Sequence, residues 1–263
     1  MDGVNLEYYG DWGAVTSRFN IIVGATTTSS GDLDVSSEDH WVLSWNMNWE
    51  WLTFQASYSE SLVTVAPINT LATNANELIG STLTGAQLES ITMDSNKGHF
   101  AGVGVAADFG SWFAGAEYTD VGVDDSPLNP DKKSWYVTGG FRSGALTMSL
   151  TYANTENPNN EDTVETLSTA LIPGLEFVRD DPFGLIDNDA ASAGAGQILD
   201  VTESTYITGF DAESINLTIR YDFHPSAAFK FDYTQEEADY EDINGNITTR
   251  EPSLVRMGVD LVF

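Results

Sequence analysis

The chain has 263 residues, with 40 acidic and 10 basic side chains and a net charge of −30. Nucleic-acid binding needs a basic surface, so this charge balance excludes that class of partner. The chain contains no cysteine, which excludes disulfides and thiolate metal sites. It also has no run of about 18 apolar residues, so the sequence predicts no transmembrane helix.

Apolar side chains recur at every second position along much of the chain, which is the pattern of β-strands with one apolar face. This pattern predicts an all-β fold with eleven strands. In chain order they lie at residues 4–9, 17–23, 41–47, 52–58, 101–109, 112–118, 135–141, 146–152, 215–223, 227–233 and 255–263.

The predicted connections alternate between short and long. The short ones lie at 10–13, 48–50, 110–111, 143–145 and 224–226, and the long ones at 26–38, 62–98, 121–133, 156–212 and 237–252. Outer-membrane barrels have short periplasmic turns and long outer loops, whereas a β-sandwich has loops at both ends. The sequence therefore predicts a single antiparallel transmembrane β-barrel domain over residues 1–263, in a bacterial outer membrane.

Aromatic residues cluster near the predicted strand ends, as in the two interfacial belts of a membrane protein. Near the short turns lie Trp12, Trp49, Trp51, Phe109, Trp112, Phe141, Phe223 and Phe263, and near the long loops lie Trp41, Tyr58, Tyr118, Trp135, Tyr152 and Tyr233.

Charged residues on the strands fall at the polar positions, which face away from lipid in the predicted barrel. A charge facing lipid costs about 2–4 kcal/mol at the midplane, so we expect these residues to line a pore. They either pair with one another or face water, and the sequence leaves both open. The predicted wall holds the bases Arg18, Arg142, Arg220, Lys230 and Arg256 and the acids Glu7, Asp108, Glu117, Asp222, Asp232 and Asp260.

Most of the negative charge lies in the long connections. Residues 156–212 hold twelve acidic side chains against Arg179 alone. An acidic vestibule raises the local cation concentration, which predicts a mild preference for cations. The alternative is a solvated surface adapted to salt water.

The final strand V-R-M-G-V-D-L-V-F, its terminal Phe263, and the paired short turns and long loops resemble the trimeric general porins of Gram-negative bacteria. This resemblance implies a water-filled channel for passive diffusion of small hydrophilic solutes and ions, with no cofactor and no enzymatic activity. It also implies a homotrimer in contact with outer-membrane lipid and lipopolysaccharide. The flat trimer contact is expected at Ala101, Ala107, Ala114 and Ala116.

In this barrel class, the last strand resembles a signal that the barrel-insertion machinery reads. Here that signal corresponds to Phe263 with the apolar residues Val255, Met257, Val259 and Leu261. The strand count departs from the family, because general porins have sixteen strands. We therefore expect an N-terminally truncated chain with five strands before Met1, and a constriction loop mostly upstream of Met1.

Several motifs compete with the channel interpretation. The segment 242–246 begins like a calcium loop but has Ser253 in place of the bidentate glutamate, which favours a turn. Asp187-Asn188-Asp189 is a second candidate for a divalent ion. Gly102-x-Gly104 suggests a subunit contact or strand curvature. Residues 76–91 and 162–171 have weak helical character, the second ending before Pro173.

Three other functions remain open at this stage. Loop 156–212 could serve an adhesin or receptor, and a solute-specific channel would show saturable block. Catalysis needs a histidine beside a nucleophile or an acid. The three histidines are His40 and His99 at the predicted outer rim and His224 in a short turn, and lone rim histidines favour a structural role.

Overall fold

A computed structural model describes residues 2–30, 33–124, 131–157, 161–180, 195–199, 209–241 and 245–261. It contains one antiparallel sheet of twelve strands in which each strand from the first to the tenth pairs with the next in sequence. The strands are β1 (Asp2–Trp12), β2 (Val15–Ser30), β3 (Leu33–Trp49), β4 (Leu52–Val65), β5 (Asn96–Asp108), β6 (Trp112–Val123), β7 (Lys132–Ser143), β8 (Leu146–Asn157), β9 (Gly209–His224), β10 (Ala227–Glu241), β11 (Ile247–Arg250) and β12 (Ser253–Leu261).

The last two strands, β11 and β12, both pair with β10 and together form one edge of the sheet. Glu251 and Pro252 separate them, and Pro252 has no backbone N–H for a ladder hydrogen bond. The carbonyl of Pro252 accepts from the N–H of Glu236 at 3.0 Å, which keeps the edge attached across the break. Among the described residues β1 pairs only with β2, so the sheet is not closed. The prediction of an antiparallel all-β fold is confirmed.

The sheet has one apolar face, which carries large exposed side chains. Met257 is 68% exposed and Leu150 is 56% exposed. Neighbouring strands place their rings together on this face: Phe19 stacks on Trp45 with centroids 5.7 Å apart, and Trp45 contacts Phe54 at 5.0 Å. Such exposure requires an apolar surrounding, because a protein in water rarely leaves an apolar area of this extent uncovered.

Two connections predicted to be long are short, which corrects the sequence interpretation. Only residues 31–32 separate β2 from β3, and only residues 242–246 separate β10 from β11. The strands continue beyond the last apolar residue, into segments such as residues 26–30 and 235–241. Both faces are polar there, so the period-two pattern that reveals a strand in sequence is lost.

Two of the other long connections, 66–95 and 158–208, contain helices. These are α1 (Ala66–Leu78), α2 (Gly85–Glu89), α3 (Glu161–Thr166), a π-helical turn (Leu167–Leu171), α4 (Ile172–Asp180) and a short helical segment at 195–199. The prediction that the helical region ends before Pro173 is wrong. Pro173 lies in the first turn of α4, where a missing backbone N–H is tolerated. None of the described helices is long and apolar enough to span a membrane.

The helices of both connections share one apolar core, and we call residues 66–95, 161–180 and 195–199 the helical cap. Leu167, Leu171 and Leu175 are almost completely buried in it, together with Ala75 of α1 and Ile91. The Thr163 hydroxyl donates to the carbonyl of Ser90 at 2.7 Å, and the hydroxyls of Ser90 and Thr166 lie 3.0 Å apart. The second connection is therefore fixed to the first.

Candidate functional site

The face of the sheet opposite the apolar one is polar and carries most of the strand charges. Strand alternation and register place all ten residues predicted to line a pore on this polar face. They are Arg18, Asp108, Glu117, Arg142, Arg220, Asp222, Lys230, Asp232, Arg256 and Asp260. Lining of a water-filled pore by these residues stays a prediction.

Two ion pairs lie on the β1–β7 part of the polar face. Nη2 of Arg18 lies 2.6 Å from Oε1 of Glu7. The other carboxylate oxygen of Glu7, Oε2, accepts a hydrogen bond from the Tyr9 hydroxyl at 2.8 Å. Nη1 of Arg142 lies 2.8 Å from Oδ1 of Asp108. All four charged side chains remain partly exposed, so water screens both ion pairs and each adds little to stability.

A larger charge network lies where β9, β10 and β12 meet. Arg220 contacts Asp222 at 2.7 Å, and Lys230 contacts Asp260 at 2.6 Å. Arg220 also reaches Asp260 at 4.0 Å, which joins the two pairs across three strands. Most of the predicted wall charges are therefore paired, as one of the two alternatives expected.

Three of the predicted wall charges have no oppositely charged partner within 4 Å among the described residues. Asp232 accepts a hydrogen bond from the Thr218 hydroxyl at 2.7 Å, and Arg256 lies opposite Asp232 in the register without an ion pair. Glu117 accepts from the Tyr136 hydroxyl at 3.0 Å. These groups keep part of their charge available to water or to a solute.

A recess of about 350 Å³ lies in the polar face between β4 and β7, in the half nearer the short turns. Its floor has small residues, Gly104, Ala106 and Gly115, while Gln55 and Tyr136 stand at its sides. The recess is deep because the glycines of its floor have no side chains. A Cβ at Gly104 would lie only 2.9 Å from Nε2 of Gln55 and would take up part of this space. Gly102 and Gly104 belong to the polar face, and the suggested role of these glycines in a subunit contact or in strand curvature stays a prediction.

One end of the recess is held rigidly by an aromatic ring. The ring of Phe113 occupies the space that a Cβ at Gly140 would need. Cζ of Arg142 lies 4.5 Å from the centroid of that ring, and its guanidinium donates to the Gly110 carbonyl at 3.0 Å as well as to Asp108. Nη1 of Arg142 is thus held by two hydrogen bonds, and the side chain forms an end wall of the recess.

The helical cap lies against the polar face, at the end with the long connections. Val65, Ile68 and Met93 are buried there and pack on Val63 and Val123. The two valines flank Gly98 on its polar side, since a Cβ at Gly98 would meet both. The loop predicted only to be weakly helical therefore covers part of the polar face.

The helical cap is strongly acidic. Its sequence holds Glu77, Glu89, Asp94, Glu161, Asp162, Glu165, Glu176 and Asp180 against the single base Arg179. Nε of Arg179 donates to Oδ1 of Asp180 at 2.8 Å, and this hydrogen bond holds the pKa of Asp180 below its usual range. Asp180 therefore stays ionised near neutral pH.

The residues predicted for assembly lie on the apolar face. Val255, Met257, Val259 and Leu261 are all at least half exposed on the edge strand β12, whereas Phe263 lies outside the described residues. Ala107 pairs with Ala114 in the register, and Ala101 and Ala116 lie on the same face of β5 and β6. Their roles in insertion and in trimer contact stay predictions.

The other candidate motifs form no metal-binding group in the described part of the chain. Asp187-Asn188-Asp189 and residues 242–244 lie outside the described residues. Within them, no group of three or more histidine, aspartate or glutamate side chains is arranged to hold a metal ion. Nδ1 of His224 accepts from the N–H of Ser226 at 3.1 Å, which stabilises a turn, and His99 lies 3.5 Å from Asp120.

Sequence reasoning missed most of the recess. The prediction of wall residues rested on charge, and it therefore omitted the uncharged residues at polar strand positions. These are Gln55, Phe113, Tyr136 and Thr138. The alternation itself was the available signal, because Tyr136 and Phe113 are aromatic residues at positions that otherwise hold polar or small side chains.

The fold, with an apolar face of exposed side chains and a polar face with ion pairs, is that of an outer-membrane β-barrel wall. A family model described as Gram-negative porin matches residues 1–172. The match covers more than half of the chain, so this chain belongs to the Gram-negative porin family. The resemblance to porins and the location in the outer membrane are confirmed.

A solved structure shows a similar fold, and two others match this chain with lower TM-scores. The outer membrane channel DcaP of Acinetobacter baumannii gives a TM-score of 0.54 at 11% identity, covering 97% of this chain and 61% of that one. OmpT of Vibrio cholerae gives 0.49 at 10% identity, covering 98% and 63%, and OccD3 (OpdP) of Pseudomonas aeruginosa gives 0.42 at 12%, covering 99% and 68%. The chain thus spans less than two thirds of the length of DcaP. No curated protein matches it.

Proposed function

We propose that the protein forms a water-filled channel for passive diffusion of small hydrophilic solutes and ions across the outer membrane, without enzymatic activity. The carrying observation is the contrast between the faces: exposed apolar side chains on one and paired charges on the other. A wall with this contrast separates lipid from water, as the wide barrels of the family do.

The helical cap supports a narrowing of the channel at its outer mouth. It rests on the polar face, and its two parts come from connections four strands apart in the sheet. To reach α1 and α2, the second connection has to extend over the polar face. We propose that the cap, in this position, narrows the mouth of the channel.

Reconstitution of the full-length protein into planar bilayers tests the channel directly. We expect stepwise, ohmic currents in potassium chloride. Correctly folded protein that inserts into the bilayer and passes no current would overturn the proposal. A saturable block by one solute would instead identify a solute-specific channel, and cell binding that depends on residues 156–212 would identify an adhesin or receptor.

We further propose a mild preference for cations, since the helical cap places acidic groups at the mouth. In a potassium chloride gradient, the reversal potential should indicate cation selectivity. Joint replacement of Glu77, Glu89 and Asp94 by their amides should reduce that selectivity, whereas Asp11→Asn, at a short turn, should change it little. Anion selectivity of the unmodified protein would contradict this part of the proposal.

The assembly proposals concern the apolar face. A homotrimer would use the flat surface of Ala101, Ala107, Ala114 and Ala116, and Ala114→Trp should weaken cross-linking into trimers. The insertion machinery would read β12 with Phe263, so removal of Phe263 should lower the amount of protein inserted into the outer membrane. Lipid and lipopolysaccharide would contact the exposed residues of this face.

A further inference from the structure

The recess between β4 and β7 has the properties of a binding site and not of a plain stretch of wall. Its volume of about 350 Å³ lies at the lower end of the about 300–1,000 Å³ found for ligand pockets. Its floor is formed by Gly104, Ala106 and Gly115, so a solute can approach the backbone closely. Its end wall, Phe113 with Arg142, is held in place by packing and hydrogen bonds.

The groups free to contact a solute are mostly neutral hydrogen-bonding groups. The amide of Gln55 is exposed and makes no hydrogen bond with a described residue. The Thr138 hydroxyl accepts from Thr151 at 2.8 Å and donates to the Leu150 carbonyl at 3.4 Å, which leaves one oxygen lone pair for a solute. Amide and hydroxyl groups of this kind match the hydroxyls of a small polyol or sugar.

The electrostatics of the recess favour a positive charge on that solute. Arg142 is its only basic lining residue, and Asp108 neutralises it at 2.8 Å. Glu117 has only the neutral Tyr136 hydroxyl as a partner, and Glu50 at the rim contacts no cation among the described residues. The Tyr136 ring, which is 37% exposed beside Glu117, adds an aromatic surface that attracts cations.

We propose that this recess is a subsite on the channel wall for a small organic cation that carries hydroxyl groups, with Glu117 and Tyr136 binding its ammonium group. The inference rests on the proposed channel, since solutes reach the polar face through it. Gln55 and Thr138 bind the hydroxyls, and the glycine floor admits the carbon ring or chain.

Binding of glucosamine to the detergent-folded, full-length protein tests the inference, with glucose as the uncharged probe. Saturation-transfer NMR measures this binding whether or not the protein conducts. We expect saturable binding of glucosamine and much weaker binding of glucose. Loss of a charge-assisted hydrogen bond in Glu117→Gln should weaken glucosamine binding about tenfold.

Matched variants separate the recess from the rest of the wall. Gly115→Val should fill the recess and abolish binding, because a Cβ there meets Cγ2 of Thr138 at 3.4 Å and fits without moving the backbone. Gly258→Val adds the same side chain to the polar face of β12, where a Cβ meets nothing, and should leave binding unchanged. Asp232→Asn is the charge-matched control for Glu117→Gln.

Three results would overturn the subsite: no binding of glucosamine, binding that Glu117→Gln and Gly115→Val leave intact, or equal loss in Asp232→Asn. Normal conductance with any of these leaves the channel proposal standing. Binding at the recess in a protein that passes no current would overturn the channel and not the subsite. The two failures are therefore distinguishable.

Discussion

The strand wall and the helical cap are held together by different forces. In the wall, ladder hydrogen bonds join each strand to the next, and large apolar side chains such as Met257 and Val259 remain exposed. In the cap, Leu167, Leu171 and Leu175 are buried against one another. The wall needs lipid to cover its apolar face, whereas the cap covers its own.

This difference means that the cap can unfold or rearrange locally while the strand wall stays folded. Apart from α1, which packs on the valines at the rim, the helices of the cap contact mainly each other. Local unfolding of a region with its own small core costs less than unfolding of a continuous ladder. In the proposed channel, the cap is thus the part where the width of the mouth can be altered independently of the wall.

The largest expected effect is loss of the core of the helical cap. Leu175→Ala should destabilise it by about 2–5 kcal/mol, because Leu175 is completely buried. Hydrogen exchange should accelerate in α1 and α4 and stay unchanged in β8 and β9. Glu176→Ala, at the exposed neighbouring position, should have little effect. Equal acceleration in the wall strands would show that cap and wall unfold together.

The next effect tests the two faces of the wall. Ile219 and Thr218 are adjacent in β9 and lie on opposite faces, Ile219 beside Met148 and Phe231. Ile219→Arg should lower the free energy of unfolding in lipid vesicles by about 2–4 kcal/mol, since it places a charge in lipid. Thr218→Arg should lower this free energy much less, because the carboxylate of Asp232 lies within hydrogen-bonding distance of position 218. Similar losses for both variants would contradict the assignment of the faces.

The smallest effect concerns the paired charges. Asp108→Asn should reduce the free energy of unfolding only slightly, because the ion pair with Arg142 is exposed to solvent, which screens it. It leaves Arg142 without its carboxylate, so the reversal potential in a salt gradient should move toward anions. A loss of several kcal/mol would show that this pair holds the wall together.

The strand wall could be predicted from the sequence because successive residues of a strand lie on opposite faces, one apolar and one polar. Residues such as Val255 and Met257 alternate with Arg256 and Gly258, so the face of each side chain follows from its position. The sequence could predict that wall charges pair with one another, as one of two alternatives. It could not predict which residues pair, such as Lys230 with Asp260, because that depends on the register between the strands.

The helical cap and the recess could not be predicted in this way. The cap depends on contacts between Ile91 and Leu167 and their neighbours, which are far apart in the chain. The recess depends on absent side chains at Gly104 and Gly115 on adjacent strands. The strand extension at 26–30 was missed because all five of its residues are polar, so no alternation of apolar and polar residues marks it as a strand.

Labelling of single cysteines tests the assignment of the faces most directly, since this chain has no cysteine of its own. Val137 and Thr138 are adjacent in β7 and lie on opposite faces. In lipid vesicles, a charged methanethiosulfonate reagent should modify Thr138→Cys and reduce the conductance, and should leave Val137→Cys unmodified although Val137 is 46% exposed. Equal modification of both cysteines, or modification of Thr138→Cys without change in conductance, would contradict a lipid-facing apolar side and a water-filled polar side.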